Sequence, residues 1–172
     1  MWLTTDELNM VPALEPMFYD NVVGTTAFPC AVVKLGKYDS MVAIISLRAN
    51  SAIRMWVDEY NSLTPTGAGT LGTTGNYFPI AASYRYSGST GGTAADTLSA
   101  RTALTSSGVL LAVATSTTSK NYYIEIKSAD LDAGFPYVAI AISTSATAST
   151  GIAVNYVMKP RYLQLDMSTA VS

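Results

Sequence analysis

The feature that most constrains the fold of this chain is a series of short β-strand patterns, clearest in the last third of the sequence, residues 120–165. In the segment NYYIEIK, residues 121–127, apolar and polar side chains alternate, which predicts a strand with one buried face and one open face. A short turn at 128–134 separates this strand from the almost wholly apolar run at 137–143. Such a run is expected where a strand is covered on both faces.

Similar patterns extend upstream, so that about eight strands are predicted in all. With little helix, they predict an all-β fold, an antiparallel β-sandwich of the jelly-roll-like kind. Two connections, residues 61–76 and 87–107, are rich in Gly, Ser and Thr and longer than typical loops, as functional or mobile loops are. The predicted strands are Phe28–Leu35, Ser40–Arg48, Ile53–Tyr60, Tyr77–Tyr86, Gly108–Thr115, Asn121–Lys127, Tyr137–Ser143 and Ile152–Lys159, with Tyr162–Asp166 as a further candidate to close the sheet.

Two upstream strands carry different patterns. In IRMWVD, residues 53–58, the aliphatic residues share one face, and Arg54, Trp56 and Asp58 share the other, which is predicted to be open. The run MVAII, residues 41–45, is apolar on both faces. It is therefore predicted to be covered twice, either by a central place in the fold or by a partner.

The first 26 residues are predicted to form an N-terminal arm ahead of a sandwich domain at residues 27–172. The capping-box pattern TTDE at 4–7 predicts a short helix to about Met10, and two prolines then favour extended backbone through Val11–Tyr19. This arm either packs as a lid on its own sandwich or reaches a neighbouring subunit. Its large aromatic side chains outside any clear strand pattern are Trp2, Phe18 and Tyr19.

Charge and hydropathy exclude two classes of partner. The net charge is −2 and the ten basic residues are scattered, so phosphate-driven binding of nucleic acid is not expected. The longest apolar runs are far too short to span a bilayer, and the N-terminus lacks the basic region of a signal peptide. We therefore expect neither nucleic acid nor membrane as a partner.

Residue types also argue against catalysis. The chain has no histidine, which removes the usual general base near neutral pH and the triads that need one. The carboxylates closest in sequence are interpreted as strand neighbours on opposite faces, Asp58 and Glu59, and as turn residues, Asp130 and Asp132. The single cysteine, Cys30, lies in an apolar run and is expected to be a buried, inert thiol. No enzyme activity, cofactor or metal is expected.

Low charge favours association. Charged residues make up 13% of the chain, about half the usual share. A surface with so few charges does little to prevent association with other subunits. The chain is therefore either a neutral β protein or a protein that is permanently packed against other copies or partners. Tyr84 and Tyr86 share one face of a predicted strand, where tyrosines can stack on sugars or form protein interfaces. Core packing is the commoner use of such residues.

The order of several pieces carries a family resemblance. A strand pair, MVAIISL and IRMWVDEY, precedes a Gly/Thr-rich loop, and IEIKSADLD, FPYVAIAIS and AVNYVMKPRYLQ follow. From Met41 to Leu165 this order resembles that of small β-sandwich structural proteins encoded in the head-gene clusters of tailed bacteriophages, namely capsid decoration (cement) proteins and related minor head proteins. The resemblance implies a jelly-roll-like fold, no catalysis and a place on the capsid exterior of a virion, after synthesis in the host cytoplasm.

Under this hypothesis the major capsid protein is a partner, and the chain itself is a second one, as a homodimer or homotrimer. The candidate interface anchors are Trp2, Phe18, Tyr19 and Trp56, because aromatic residues dominate interface energetics. The alternative is a receptor- or glycan-binding β-sandwich domain of a phage fibre or tail, in which Tyr84 and Tyr86 would line a shallow groove. A small esterase or glycosidase is disfavoured by the missing histidine.

Overall fold

The computed structural model describes residues 9–19, 28–49, 52–64, 77–79, 82–89, 98–104, 109–112, 119–144 and 150–161. Within this part of the chain the fold is an antiparallel β-sandwich, which confirms the predicted fold class. One short 3-10 turn, Ser128–Asp130, interrupts the strands. The strands are β1 (Asn9–Tyr19), β2 (Phe28–Pro29), β3 (Val33–Lys34), β4 (Tyr38–Ala49), β5 (Ala52–Tyr60), β6 (Tyr77–Pro79), β7 (Ala82–Ser89), β8 (Thr102–Leu104), β9 (Val109–Ala112), β10 (Ser119–Lys127), β11 (Tyr137–Thr144) and β12 (Thr150–Pro160).

The strands form two sheets with a nested order. Sheet A runs β1-β12-β4-β10-β7-β8, and sheet B runs β2-β11-β5-β6, with β3 also on β11 and β9 also on β5. Early strands pair with late ones in sequence: β1 with β12, β2 and β3 with β11, and β4 with β10. The innermost pairs join β5 to β6 and to β9. The strand pairs are thus nested one inside the next, and they are divided between the two sheets.

The core lies between the two sheets. Strands β4, β10 and β12 bury every second residue, as their period-two alternation requires. Sheet B contributes the inward residues of β5 and β11. Each fully buried aliphatic side chain contributes about 1.5–3 kcal/mol relative to an exposed one. The largest fully buried side chains of this core are Tyr156, Leu35, Met41, Ile45, Leu47, Met55, Leu104 and Ile124.

A gap in the strand pairing of sheet B is bridged by a side chain of sheet A. Strands β2 and β3 pair with β11 on either side of a gap at residues 30–32. There the N–H of Cys30 donates to the carbonyl of Ile140 at 2.8 Å, and the hydroxyl of Tyr156 accepts the N–H of Ile140 at 3.0 Å. Tyr156 belongs to β12 in sheet A, so a core tyrosine satisfies a backbone donor that the strand pairing leaves free.

The N-terminal stretch differs from its prediction. Asn9 and Met10 already lie in β1, so a helix cannot run to Met10; residues 1–8 lie outside the described part. Strand β1 pairs with β12 as the outermost strand of sheet A, and Val11 and Ala13 join the core. At an irregularity of β1, the carbonyl of Ala13 accepts the N–H of Ala31 at 2.9 Å, which links the edges of the two sheets.

Two other strand predictions need correction. The single strand predicted at Tyr77–Tyr86 is two strands in different sheets, β6 in sheet B and β7 in sheet A. Pro79 ends β6, because proline cannot donate to a strand ladder. The long connection predicted at 87–107 contains β8, which pairs with β7. The candidate strand at Tyr162–Asp166 lies outside the described residues.

Candidate interaction face

Strand β11 is central in sheet B, and its outer side is closed. It lies between β2 or β3 and β5, and residues 138–142 are all buried, which confirms the prediction that this strand is covered on both faces. On the outer side Trp56 packs with Ala141, and Tyr60 packs with Ala139. The prediction that Arg54, Trp56 and Asp58 share an exposed face is therefore wrong at Trp56 and Asp58, which are buried, while Arg54 is exposed.

Asp58 is the polar centre of this closed outer side. It is 1% exposed, and its Oδ2 accepts the indole N–H of Trp56 at 2.8 Å and the hydroxyl of Tyr60 at 3.4 Å. Burial raises the pKa of Asp58 to about 6, against a smaller lowering by the two donors. The two aromatic residues thus direct their N–H and O–H groups to one carboxyl, while their rings pack against Ala141 and Ala139.

The next residue, Glu59, anchors the turn that leads into β11. Its Oε2 accepts the backbone N–H of Asp132 at 2.8 Å, while the buried Oε1 has no hydrogen-bond partner among the described residues. Burial raises the pKa of Glu59, the N–H of Asp132 lowers it, and the Asp132 carboxylate raises it again. Asp130 accepts the N–H of Lys127 at 3.4 Å, as predicted for a turn cap.

Sheet A presents a different outer side. Strand β4 is central in this sheet, and Val42 and Ile44 point away from the core, where they remain part-exposed. Two cross-strand rows pass through them, from Met10 through Val157 to Val42 and from Pro12 through Asn155 to Ile44. These rows carry no charged residue. We call the outward residues in and beside these two rows the open face: Met10, Pro12, Val42, Ile44, Ala153, Asn155 and Val157. The outward residues Ser40, Ser46 and Lys159 lie at its ends.

A groove borders the open face along β10. Its volume is about 160 Å3, and Val42 contributes to both the groove and the open face. Arg101 and Glu125 form an ion pair across it, with Nη2 and Oε2 2.9 Å apart. Tyr123 and Arg85 lie directly opposite each other in the pairing of β10 with β7. Among the described residues, Tyr84 completes the lining.

The residues predicted as interface candidates are dispersed. Trp56 is buried at 1% exposure, so it is not accessible to a partner in this structure. Tyr84 is half-buried and packs on the core side, with its ring centroid 6.2 Å from that of Tyr122. Tyr86 of β7 pairs with Tyr122, and Phe18 and Tyr19 of β1 pair with Gly151 and Thr150. The side chains of Tyr86, Phe18 and Tyr19 are not described, and Trp2 lies outside the described part of the chain.

Of the residues that line the groove, Tyr84 was singled out from the sequence, whereas Arg85, Arg101, Tyr123 and Glu125 were not. Alternation in NYYIEIK does place Tyr123 and Glu125 on the side opposite the buried Ile124, so two of them carried a readable signal. Arg85 and Arg101 come from distant segments, and only the strand pairing brings them to β10.

The other chemistry-bearing groups of the described ranges are a buried thiol and dispersed carboxylates. Cys30 is buried, and burial raises the pKa of its thiol to about 12. No three Cys, Asp or Glu side chains of the described residues come close enough together to bind a metal ion, and no described helix is long and apolar enough to cross a bilayer. Comparison with protein-family models, with characterised proteins and with solved structures found no match to this chain.

Proposed function

We propose that this chain is a virion structural protein that binds the outside of a phage capsid shell and decorates or cements it through subunit contacts. The proposal combines the sequence resemblance of residues 41–165 with an observation on sheet A. The nested pairing of β1 with β12, β2 and β3 with β11, β4 with β10, and β5 with β6 supports the jelly-roll-like form that the resemblance implies. On this proposal the major capsid protein is the partner.

The observation that carries the proposal is the contrast between two central strands with the same apolar pattern. Strand β11 is apolar on both sides, and the chain itself buries both. Strand β4 is also apolar on both sides, yet Val42 and Ile44 remain part-exposed. A mostly apolar, uncharged patch on a central strand favours a protein interaction site, because the largest apolar patch of a monomer is often functional.

The size of the open face fits a contact that is repeated many times. Three strands about 4.8 Å apart, with outward residues about 7 Å apart along each, span an area on the order of 300 Å2. A standard protein interface buries about 800 Å2 on each partner. One open face alone is therefore a weak contact, and a homodimer or homotrimer would gain affinity by presenting several at once. Binding only the expanded shell would stabilise that form by mass action.

Sedimentation with empty shells of the major capsid protein tests the proposal. Val157→Asp places a charge at the centre of the open face and should abolish co-sedimentation, because the carboxylate would be buried without a partner. Leu98→Asp is the matched control, since Leu98 is 47% exposed and lies outside the open face; it should bind as the parent does. Equal binding by both variants would show that the open face is not the docking surface. Hundreds of bound copies per particle are expected.

The second candidate function is receptor or glycan binding by a fibre or tail domain. The groove favours it, because Tyr123 offers an aromatic ring beside charged groups that can bind hydroxyls. A glycan array separates the two functions. Selective binding of one glycan, abolished by Tyr123→Ala, together with only a few copies per particle, would favour this second function.

A further inference from the structure

The groove beside the open face contains an uncompensated positive charge. Arg85 is exposed, lines the groove, and has no ion-pair or hydrogen-bond partner among the described residues. On the other side, the Arg101–Glu125 pair neutralises itself. Among the described lining residues, two guanidinium groups and one carboxylate therefore give the groove a net positive charge, although the whole chain is acidic, with a net charge of −2.

The chemistry of this arrangement selects a carboxylate. A guanidinium offers two parallel N–H donors that match the two oxygens of a carboxylate. Tyr123, directly opposite Arg85 in the strand pairing, supplies an aromatic wall. The volume of about 160 Å3 leaves room for one side chain and not for an extended chain segment.

Continuity with the open face identifies the source of that carboxylate. Val42 belongs to the open face and also lines the groove, so a protein that covers the open face also covers the mouth of the groove. We propose that the groove receives an aspartate or glutamate side chain of the protein partner that lies on the open face. This inference rests on the proposed function for the identity of that partner, but the chemistry of the groove can be tested without it.

The first experiment uses small probes and needs no shell. The isotope-labelled protein is titrated with N-acetylglutamate methylamide, with the neutral N-acetylglutamine methylamide, and with glucuronate, while the amide signals of Arg85 and Tyr123 are followed by NMR. We expect a saturable shift with the glutamate probe that Arg85→Gln loses and Arg85→Lys partly retains. An equal response to the neutral probe, or no response to any probe, overturns the proposal. A stronger response to glucuronate overturns it in favour of an acidic-sugar site.

The second experiment separates this inference from the proposed function. Arg85→Gln should weaken binding to capsid shells about tenfold, the loss expected for one charge-assisted hydrogen-bonded contact. Arg54→Gln is the matched control, because Arg54 is exposed on sheet B, away from the open face. Shell binding that Val157→Asp abolishes and Arg85→Gln leaves unchanged overturns the inference alone. Absence of shell binding by the parent overturns the proposed function, and the probe titration then still decides the chemistry of the groove.

Discussion

Replacing Asp58 by asparagine should stabilise the protein near neutral pH, because the buried carboxyl of Asp58 is costly to ionise. The side chain is 1% exposed, and Trp56 and Tyr60 both donate to one of its oxygens. Asparagine has nearly the same shape, and its carbonyl oxygen can still accept the indole N–H. The substitution therefore removes the ionisation and keeps the principal hydrogen bond.

The size of the effect follows from the pKa of Asp58. Burial raises this pKa from 3.8 to about 6, which corresponds to about 3 kcal/mol at about 1.4 kcal/mol per pH unit. Below pH 3.8 the carboxyl is protonated in both the folded and the unfolded chain, and its contribution to stability is fully present. As the pH rises towards about 6, only the unfolded chain releases the proton, so the free energy of unfolding falls.

Urea denaturation followed by tryptophan fluorescence, at several values from about pH 3.5 to about pH 7.5, measures this difference. Asp58→Asn should match the parent at the acid end and exceed it by up to about 3 kcal/mol at the neutral end. A smaller slope of the same sign should remain, because burial also raises the pKa of Glu59. Asp39→Asn is the control, since Asp39 is exposed. Parallel curves for the parent and Asp58→Asn would refute the reasoning.

Two further predictions concern a hydrogen bond between the two sheets and the packing on the outer side of sheet B. Tyr156→Phe removes the acceptor of the Ile140 N–H and should lower the free energy of unfolding by about 1–3 kcal/mol; an unchanged urea midpoint would show that the N–H finds another acceptor. Ala139→Phe should overpack the closed side against Tyr60 at a cost of about 1–3 kcal/mol. Ala153→Phe, at the part-exposed open face, should change the urea midpoint of the free protein little; an equal loss in both variants would mean that the open face is as tightly covered as the closed one.

The sequence predicts a strand well where burial follows directly from alternation. Residues 121–127 are such a case, because a period of two on a pleated strand reports which side is buried. Residues 137–143 were predicted from a different signal, a continuous apolar run that indicates cover on both faces. Strand β1 was missed because Pro12 interrupts its pattern. Proline is tolerated on an edge strand, where half of the backbone N–H groups have no partner to lose, and β1 is the outermost strand of sheet A.

The closed side of β5 and the groove were missed for different reasons. Alternation of Trp56 and Asp58 with aliphatic residues reads as an open polar face, but the aromatic donors satisfy the carboxyl and allow it to be buried. The groove depends on pairings between segments far apart in sequence, such as Arg85 with Tyr123. No local pattern encodes such a register, so Arg101 in particular carried no signal before the strands were paired.

Residue size separates the two causes of a doubly apolar strand. Within residues 138–142 of β11 the outward residues are Ala139 and Ala141, and their small side chains let the bulky Trp56 and Tyr60 of the neighbouring strand pack against them. Within the apolar run of β4, residues 41–45, the outward residues are Val42 and Ile44, whose branched side chains stand above the sheet and remain part-exposed. A chain that covers its own strand gains from small residues beneath the cover, whereas a surface that meets a separate partner gains from apolar side chains that project towards it. The alanines of β11 therefore fit a strand that the chain covers itself, and the branched residues of β4 fit the docking strand that we propose.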